Sequence, residues 1–157
     1  MISNWIIPNR NISFELLFRA SRDGDKTDTF HNKCDGKGNT ITFIKAANGF
    51  RFGGYTTIPW NNNGCGKKDP FSFMFSIDNK VKADLKNKDS YAVWHASNIG
   101  PGFSDYDLLL YNNCLKDEQS FVDIEHFCSD NLKFIGFNKK GRCYTRIIDY
   151  ETYLVKL

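Results

Sequence analysis

The sequence predicts a β-rich α+β domain, an antiparallel β-sandwich carrying a few flanking helices. Three observations carry that prediction. Short runs of alternating apolar residues recur along the chain, separated by turn residues. Aromatic residues make up 15% of the 157 residues, 14 of them Phe, and aromatics fit the pleated, half-buried surface of a sheet. Helical periodicity is confined to short segments.

Taken in order, Trp5-Ile6-Ile7 followed by Pro8-Asn9-Arg10-Asn11 reads as the end of an apolar element and a turn, because proline disfavours helix in the residue before it. Residues 1–12 thus read as the end of a preceding helix or linker, and residues 1–157 as one domain. Phe14-Glu15-Leu16-Leu17-Phe18-Arg19 is a buried strand bounded by a turn at Ser21-Arg22-Asp23-Gly24. Asp25 or Thr27 can cap a short helix reaching Cys34, since both side-chain types accept bonds from orphaned helix N–H groups. Phe30 and Cys34, four residues apart, face the core. Asp35-Gly36-Lys37-Gly38-Asn39 ends that helix.

Thr40-Ile41-Thr42-Phe43-Ile44-Lys45 follows as a strand in which Ile41 and Phe43 alternate with threonines. Asn48-Gly49 is a two-residue hairpin turn, because both residues tolerate positive φ. It leads into Phe50-Arg51-Phe52, with the arginine pointing away from the phenylalanines. Residues 59–70 form a polar, Gly-rich loop. In Phe71-Ser72-Phe73-Met74-Phe75-Ser76-Ile77 the alternation points Phe71, Phe73, Phe75 and Ile77 inward and the serines outward. Residues 90–95 and 107–111 are further strands, with a turn at Gly100-Pro101-Gly102-Phe103 between them. Residues 132–137 and 146–155 close the domain as strands. On the last, Ile148, Tyr150, Thr152 and Leu154 share a face, opposite Asp149 and Glu151.

Composition excludes several function classes. The net charge is +3, and the run Lys80-Val81-Lys82-Ala83-Asp84-Leu85-Lys86-Asn87-Lys88-Asp89 mixes signs as a solvated face does. A nucleic-acid groove wants a denser basic stripe interleaved with stacking aromatics, so no nucleic-acid partner is expected. No apolar run approaches the roughly 18 residues of a membrane span, and the N-terminus lacks the basic n-region of a signal peptide. The five cysteines, Cys34, Cys65, Cys114, Cys128 and Cys143, are odd in number and widely spaced, which suits reduced thiols in a cytoplasmic protein.

The candidate chemistry is sparse. His31 precedes Cys34 by three residues, as a base would beside a nucleophile, but Cys34 shares the apolar helix side with Phe30 and reads as a buried, inert thiol. His31, Cys34, His126 and Cys128 could supply four zinc ligands, yet neither half has Cys-x2-Cys spacing, so no metal or other cofactor is expected. Phe52-Gly53-Gly54-Tyr55 lacks the spacing and the lysine of a phosphate loop; paired glycines ending a strand mark a bulge or a close backbone approach. Asp149 and Glu151, with Asp123 and Glu125, could form an acid/base pair, and a solvated strand face is the simpler reading. The two acids, with the turn from Tyr55 to Trp60, are the candidate partner-binding residues.

The ordered set Leu17-Phe18-Arg19-Ala20-Ser21-Arg22-Asp23-Gly24, Phe30-His31-Asn32-Lys33-Cys34-Asp35, Thr40-Ile41-Thr42-Phe43-Ile44-Lys45, Phe50-Arg51-Phe52-Gly53-Gly54-Tyr55 and Trp60 resembles the TLDc domain family. Asp69-Pro70-Phe71-Ser72-Phe73, Gly100-Pro101-Gly102-Phe103 and Asp149-Tyr150-Glu151-Thr152-Tyr153 extend the resemblance over roughly residues 5 to 157. Ser104-Asp105-Tyr106 stands where relatives often carry glycines, and the segment from 114 to 137 matches poorly. The resemblance implies two antiparallel sheets packed as a sandwich with helices at its edges. It also implies resistance to oxidative damage and binding to the peripheral sector of the vacuolar proton-pumping ATPase, with no catalytic mechanism. Ser21, Arg22, Asp23, Gly24, Phe30, Cys34, Gly53, Gly54, Tyr55, Trp60, Gly100, Asp149, Tyr150 and Glu151 are the family-signature positions, expected to shape the fold. Two other readings stand beside it: a thiol-dependent antioxidant using Cys34 or the loop cysteines Cys65 and Cys114, and a structural domain of a larger scaffold.

Overall fold

The computed structural model describes residues 1–104, 107–116, 120–122 and 143–157. Three short helices, α1 (Ile2–Ile6), α2 (Ala20–Asp23) and α3 (Thr27–Cys34), accompany strands β1 (Ser13–Arg19), β2 (Thr40–Ala46), β3 (Arg51–Thr56), β4 (Gly66–Lys67), β5 (Phe73–Ser76) and β6 (Val81–Asp84). The remaining strands are β7 (Val93–Trp94), β8 (Ile99–Phe103), β9 (Leu108–Tyr111), β10 (Phe121–Val122), β11 (Cys143–Tyr144) and β12 (Ile147–Lys156). Among the described residues they build two six-stranded sheets, ordered β1-β12-β2-β3-β5-β6 and β11-β10-β9-β8-β7-β4. The strand pairings within each sheet are antiparallel. This is the sandwich the sequence predicts.

The main core lies between the sheets. Phe18, Ile44, Phe52, Met74, Ala83 and Tyr150 from the first sheet meet Val93, Phe103, Leu108 and Leu110 from the second, with Phe30 and Cys34 of α3 closing one end. Phe18, Phe30, Tyr150 and Trp60 form an aromatic cluster, with Phe30 edge-on to Phe18 and Trp60 at 5.7 Å. Such pairs add about 0.5–1.5 kcal/mol beyond area burial.

The first sheet is apolar on its outer face too. Ile41, Tyr55, Phe73, Phe75 and Val155 form a second cluster there, covered by Ile2, Trp5 and Ile6 of α1. Trp5 sits 6.4 Å from Phe75. Burial on both faces corrects the expected orientation of β5. Met74, not Phe73 and Phe75, points between the sheets; Ser72 and Ser76 are buried, and Phe71 is 69% exposed. Thr42 likewise lies inside, its Oγ1 2.9 Å from that of its cross-strand neighbour Thr152. Alternation locates a strand's two faces, but it does not say which one is covered when both are apolar.

Other expectations change in detail. The hairpin between β2 and β3 exists, but only Gly49, at φ 89°, has positive φ. Ala46 N bonds Phe50 O at 3.0 Å and Gly49 N bonds Ala46 O at 2.9 Å, which makes a three-residue loop closed by glycine. Neither Asp25 nor Thr27 caps α3 through its side chain. Instead the Thr27 N–H donates to Asn112 Oδ1 at 3.1 Å, and Asp25 Oδ2 accepts from Leu115 N at 3.1 Å. Residues 100–103 are strand β8 rather than a turn. The strand at 90–95 contracts to Val93–Trp94, and the loop at 59–70 contains β4. A register shift between Ile147 and Asp149 turns Ile148 outward, leaving Tyr150 and Thr152 inside. The expected strand at 132–137 lies outside the described residues.

Candidate functional site

The residues singled out in sequence fall into two groups, one that ties the ends of the first sheet together and one that fills the core. Ser21-Arg22-Asp23-Gly24 is the short helix α2 and its exit, with Gly24 at φ 92°. The carboxylate of Asp149 on β12 accepts the Ser21 N–H at 2.9 Å and the Ser21 hydroxyl at 2.6 Å, so the last strand caps the helix that follows the first one. Asp23 accepts from the Arg19 N–H at 2.9 Å and from Arg22 Nε and Nη2 at 2.9 and 2.8 Å. The Arg22 hydrogen bonds, with help from the Arg19 N–H and Lys33, hold its carboxyl well below the usual carboxylate range. Glu151 pairs with Arg19 and accepts from the Tyr153 hydroxyl. Asp149 and Glu151 are therefore structural anions with fixed partners, not a free acid/base pair. Asp123 and Glu125 lie outside the described residues.

The second group is buried. Trp60 is 1% exposed and donates from Nε1 to Thr40 Oγ1 at 2.8 Å. Tyr55 is 4% exposed, stacks on Phe73 at 5.2 Å and donates to Asn39 Oδ1 at 3.3 Å; burial pushes its phenol up to about 12. Packing buries both rings, Trp60 in the main core and Tyr55 on the outer face of the first sheet, where an edge of it still lines a groove beside α1. Burial also raises the Tyr150 phenol well above its ordinary range. A Cβ at Gly100 would lie 3.2 Å from the Tyr150 hydroxyl, a tight contact that leaves little room for a side chain there.

Gly53 and Gly54 have separate jobs. A Cβ on Gly53 would overlap the Thr42 carbonyl oxygen on β2, and one on Gly54 would come within 2.5–2.7 Å of the Phe103 ring from the opposite sheet. The pair lets β3 lie close to β2 and lets Phe103 seat against the first sheet. This is the close backbone approach expected of strand glycines.

Cys34 is fully buried, and desolvation pushes its thiol up to about 12, far from the thiolate a nucleophile needs. His31 is committed elsewhere: Nδ1 lies 2.8 Å from Asp35 Oδ1, and Nε2 lies 3.0 and 2.9 Å from the Ala96 and Ile99 carbonyls. Both ring nitrogens thus face acceptors, a carboxylate on one side and two carbonyls on the other. Cys114, expected on an exposed loop, is fully buried in the main core; Cys65 is the half-buried one. His126 and Cys128 of the suggested zinc set lie outside the described residues, and among the described residues no three His, Cys, Asp or Glu side chains group as metal ligands. Among them too, no helix is long and apolar enough to cross a membrane.

Two residues that the sequence reading did not single out as site candidates, Asp69 and His95, organise the neighbouring loops. Asp69 is 0% exposed and its carboxylate accepts from Thr56 Oγ1, Thr57 N, Thr57 Oγ1 and Phe71 N at 2.7, 2.7, 2.9 and 3.1 Å. The Asp-Pro pair after a polar loop is the available signal. His95, 1% exposed, packs against Trp60 at 5.5 Å and accepts the Asn61 N–H at Nδ1, 3.2 Å away. Its apolar surroundings had no sequence signal.

The geometry thus defines a two-sheet sandwich whose distinctive residues hold turns, strand ends and inter-sheet contacts in place. The chain belongs to the TLDc domain family, whose model matches residues 1–153. No curated protein matches the chain.

Proposed function

We propose that this chain is a non-catalytic protein-interaction module that binds the peripheral sector of the vacuolar-type proton-pumping ATPase, regulates it, and so contributes to resistance to oxidative damage. The observation that carries the reading is the TLDc family match over residues 1–153. The engagement of Ser21, Asp23, Asp149 and Glu151 in fixed internal bonds supports a scaffold role for the signature residues, leaving recognition to other surface. On this reading the protein works in the cytoplasm and reaches vacuolar or endolysosomal membranes through its partner.

The direct test is affinity capture with the tagged chain from lysate prepared under conditions that preserve pump assembly. Enrichment of peripheral-sector subunits is the expected result. Recovery no better than with an unrelated β-sandwich would overturn the reading.

A further inference from the structure

Phe71 is the most exposed large hydrophobic residue among those described, at 69%, and it is not there because the chain around it is loose. Its N–H is bonded to buried Asp69. On its other side the Ser72 N–H returns to Asp69 O at 3.1 Å and the Ser72 hydroxyl donates to the Tyr55 carbonyl at 2.8 Å. The backbone on both sides of Phe71 is thus fixed to the sheet while its ring stands in water. A hydrophobic ring held in that way adds little to the core. It is suited to anchoring a contact, because the cost of ordering the backbone that carries it has already been met in the free protein.

Beside Phe71 runs a groove of about 380 Å³, walled by Trp5 and Ile6 of α1, Tyr55 of β3 and Pro70, with Lys82, Asp84 and Lys88 at its rim. The lining is more apolar than polar, though it includes Asn39 and Thr57, and its charged side chains are Lys82 and Lys88 against Asp84. Residues 80–88 hold four lysines against the single acid Asp84. Lys82 is only half-exposed and reaches over the Phe73 ring at 4.6 Å while pairing with Asp84 at 2.8 Å, so its charge is held at the groove's lip. The mixed-sign run from Lys80 to Asp89 is therefore more than a solvated face. It brings cations to the mouth of an apolar groove.

We propose that this groove docks an acidic amphipathic segment of a partner protein, whose apolar side chains lie against Phe71, Trp5 and Ile6 and whose carboxylates meet Lys82 and Lys88. The proposal rests on reading the chain as a protein-interaction module and supplies the surface for it. Concavity favours a peptide over a lipid surface: a groove receives the side chains of an amphipathic peptide, whereas bilayer insertion calls for a continuous protruding apolar face.

The test uses the purified chain, labelled with nitrogen-15, and needs no pump. The probe is an amphipathic peptide of about 18 residues, roughly five helical turns, with Leu and Phe on one face and Glu along its flanks. A second peptide carries Lys in place of every Glu, and vesicles containing phosphatidylserine form the third arm. The expected result is amide shifts centred on Trp5, Phe71 and Lys82, with the Glu peptide bound at least about tenfold more tightly than the Lys peptide, a gap of about 1.4 kcal/mol. Phe71→Asp should weaken the Glu peptide by about tenfold or more without lowering the thermal midpoint. Lys82→Glu combined with Lys88→Glu should reverse the preference between the peptides. Equal binding of both peptides, shifts centred elsewhere, no peptide binding, or binding to vesicles in preference to the Glu peptide would each overturn the proposal. Failure here alongside successful pump capture removes this surface and leaves the proposed function. The opposite pair of results removes the pump and leaves the groove.

Discussion

At the scale of single residues, the buried polar groups show how far this fold depends on exact pairing. Asp69 accepts four hydrogen bonds, which answers the cost of burying a carboxylate. His95 is the opposite case. Its Nδ1 accepts one bond from Asn61, and its Nε2 is buried without a hydrogen-bond partner among the described residues. A second proton would have to displace Asn61 and place a charge beside Trp60. Burial first, then the nearby Lys67, lowers its pKa to about 4 from 6.5. The sign follows from that direction: the folded state holds His95 neutral while the unfolded chain takes a proton more readily. The stability this provides is complete above pH 6.5 and is lost as the pH falls toward 4. The loss is up to about 3 kcal/mol, at roughly 1.4 kcal/mol for each pKa unit. Urea unfolding of the native chain and of His95→Phe, measured from pH 7.5 to pH 4, should show a steeper decline for the native chain in that window. Parallel curves would mean that His95 is hydrated and titrates normally.

At the scale of elements, the sequence disclosed where strands lie better than which way they face. Phe50-Arg51-Phe52 was legible, because Arg51 had a charged partner to find outside and found Asp78, at 2.6 Å from Nη2. Phe71 to Ile77 was misread because both faces of β5 are covered, and no alternation distinguishes the side under α1 from the side under the second sheet. The alternation in β2 likewise left the covered face open, and Thr42 proves to lie in the core, where Thr152 satisfies its hydroxyl. The paired glycines were legible as a close approach, but what approaches them is a matter of tertiary structure. Gly53 touches a neighbouring strand and Gly54 the other sheet, so their substitutions should differ in kind. Gly53→Ala sets a methyl against backbone that cannot move without breaking the β2–β3 ladder, and should cost at least about 3 kcal/mol, the upper end for overpacking. Gly54→Ala meets a side chain, Phe103, whose truncation can relieve it. In chemical denaturation, Phe103→Leu should therefore recover part of the loss caused by Gly54→Ala and none of that caused by Gly53→Ala. Equal recovery in both backgrounds would show that the two glycines serve a single contact.

At the scale of the whole molecule, family membership and sandwich architecture were readable from the ordered set of short segments. The bond between Ser21 and Asp149, 128 positions apart in the chain, was not, because each residue looks locally like an ordinary turn or an exposed strand position. Cysteine reactivity is likewise a property of the complete fold. Cys114 follows Tyr111-Asn112-Asn113 and reads as a loop thiol, yet it is sealed in the main core together with Cys34. Of Cys34, Cys65 and Cys114, Cys65 alone reaches solvent, and its Sγ already donates to Asn63 Oδ1 at 2.9 Å. Alkylation of Cys34 and Cys114 should thus require large-scale opening, which for a stable domain keeps the reactive population below about one in a thousand. Under native conditions at pH 8, iodoacetamide followed by peptide mass spectrometry should modify Cys65 readily and leave Cys34 and Cys114 protected until denaturant is added. The same preparation bears on the non-catalytic reading. Peroxide should be consumed by the pure chain no faster than by a Cys65→Ser variant, apart from a single stoichiometric event. Sustained turnover in the presence of a thiol reductant, lost in Cys65→Ser, would make the chain an enzyme and displace the interaction module as its primary activity. Turnover that survives Cys65→Ser but is lost when Cys34 is replaced would further mean that the core opens far more readily than its packing implies.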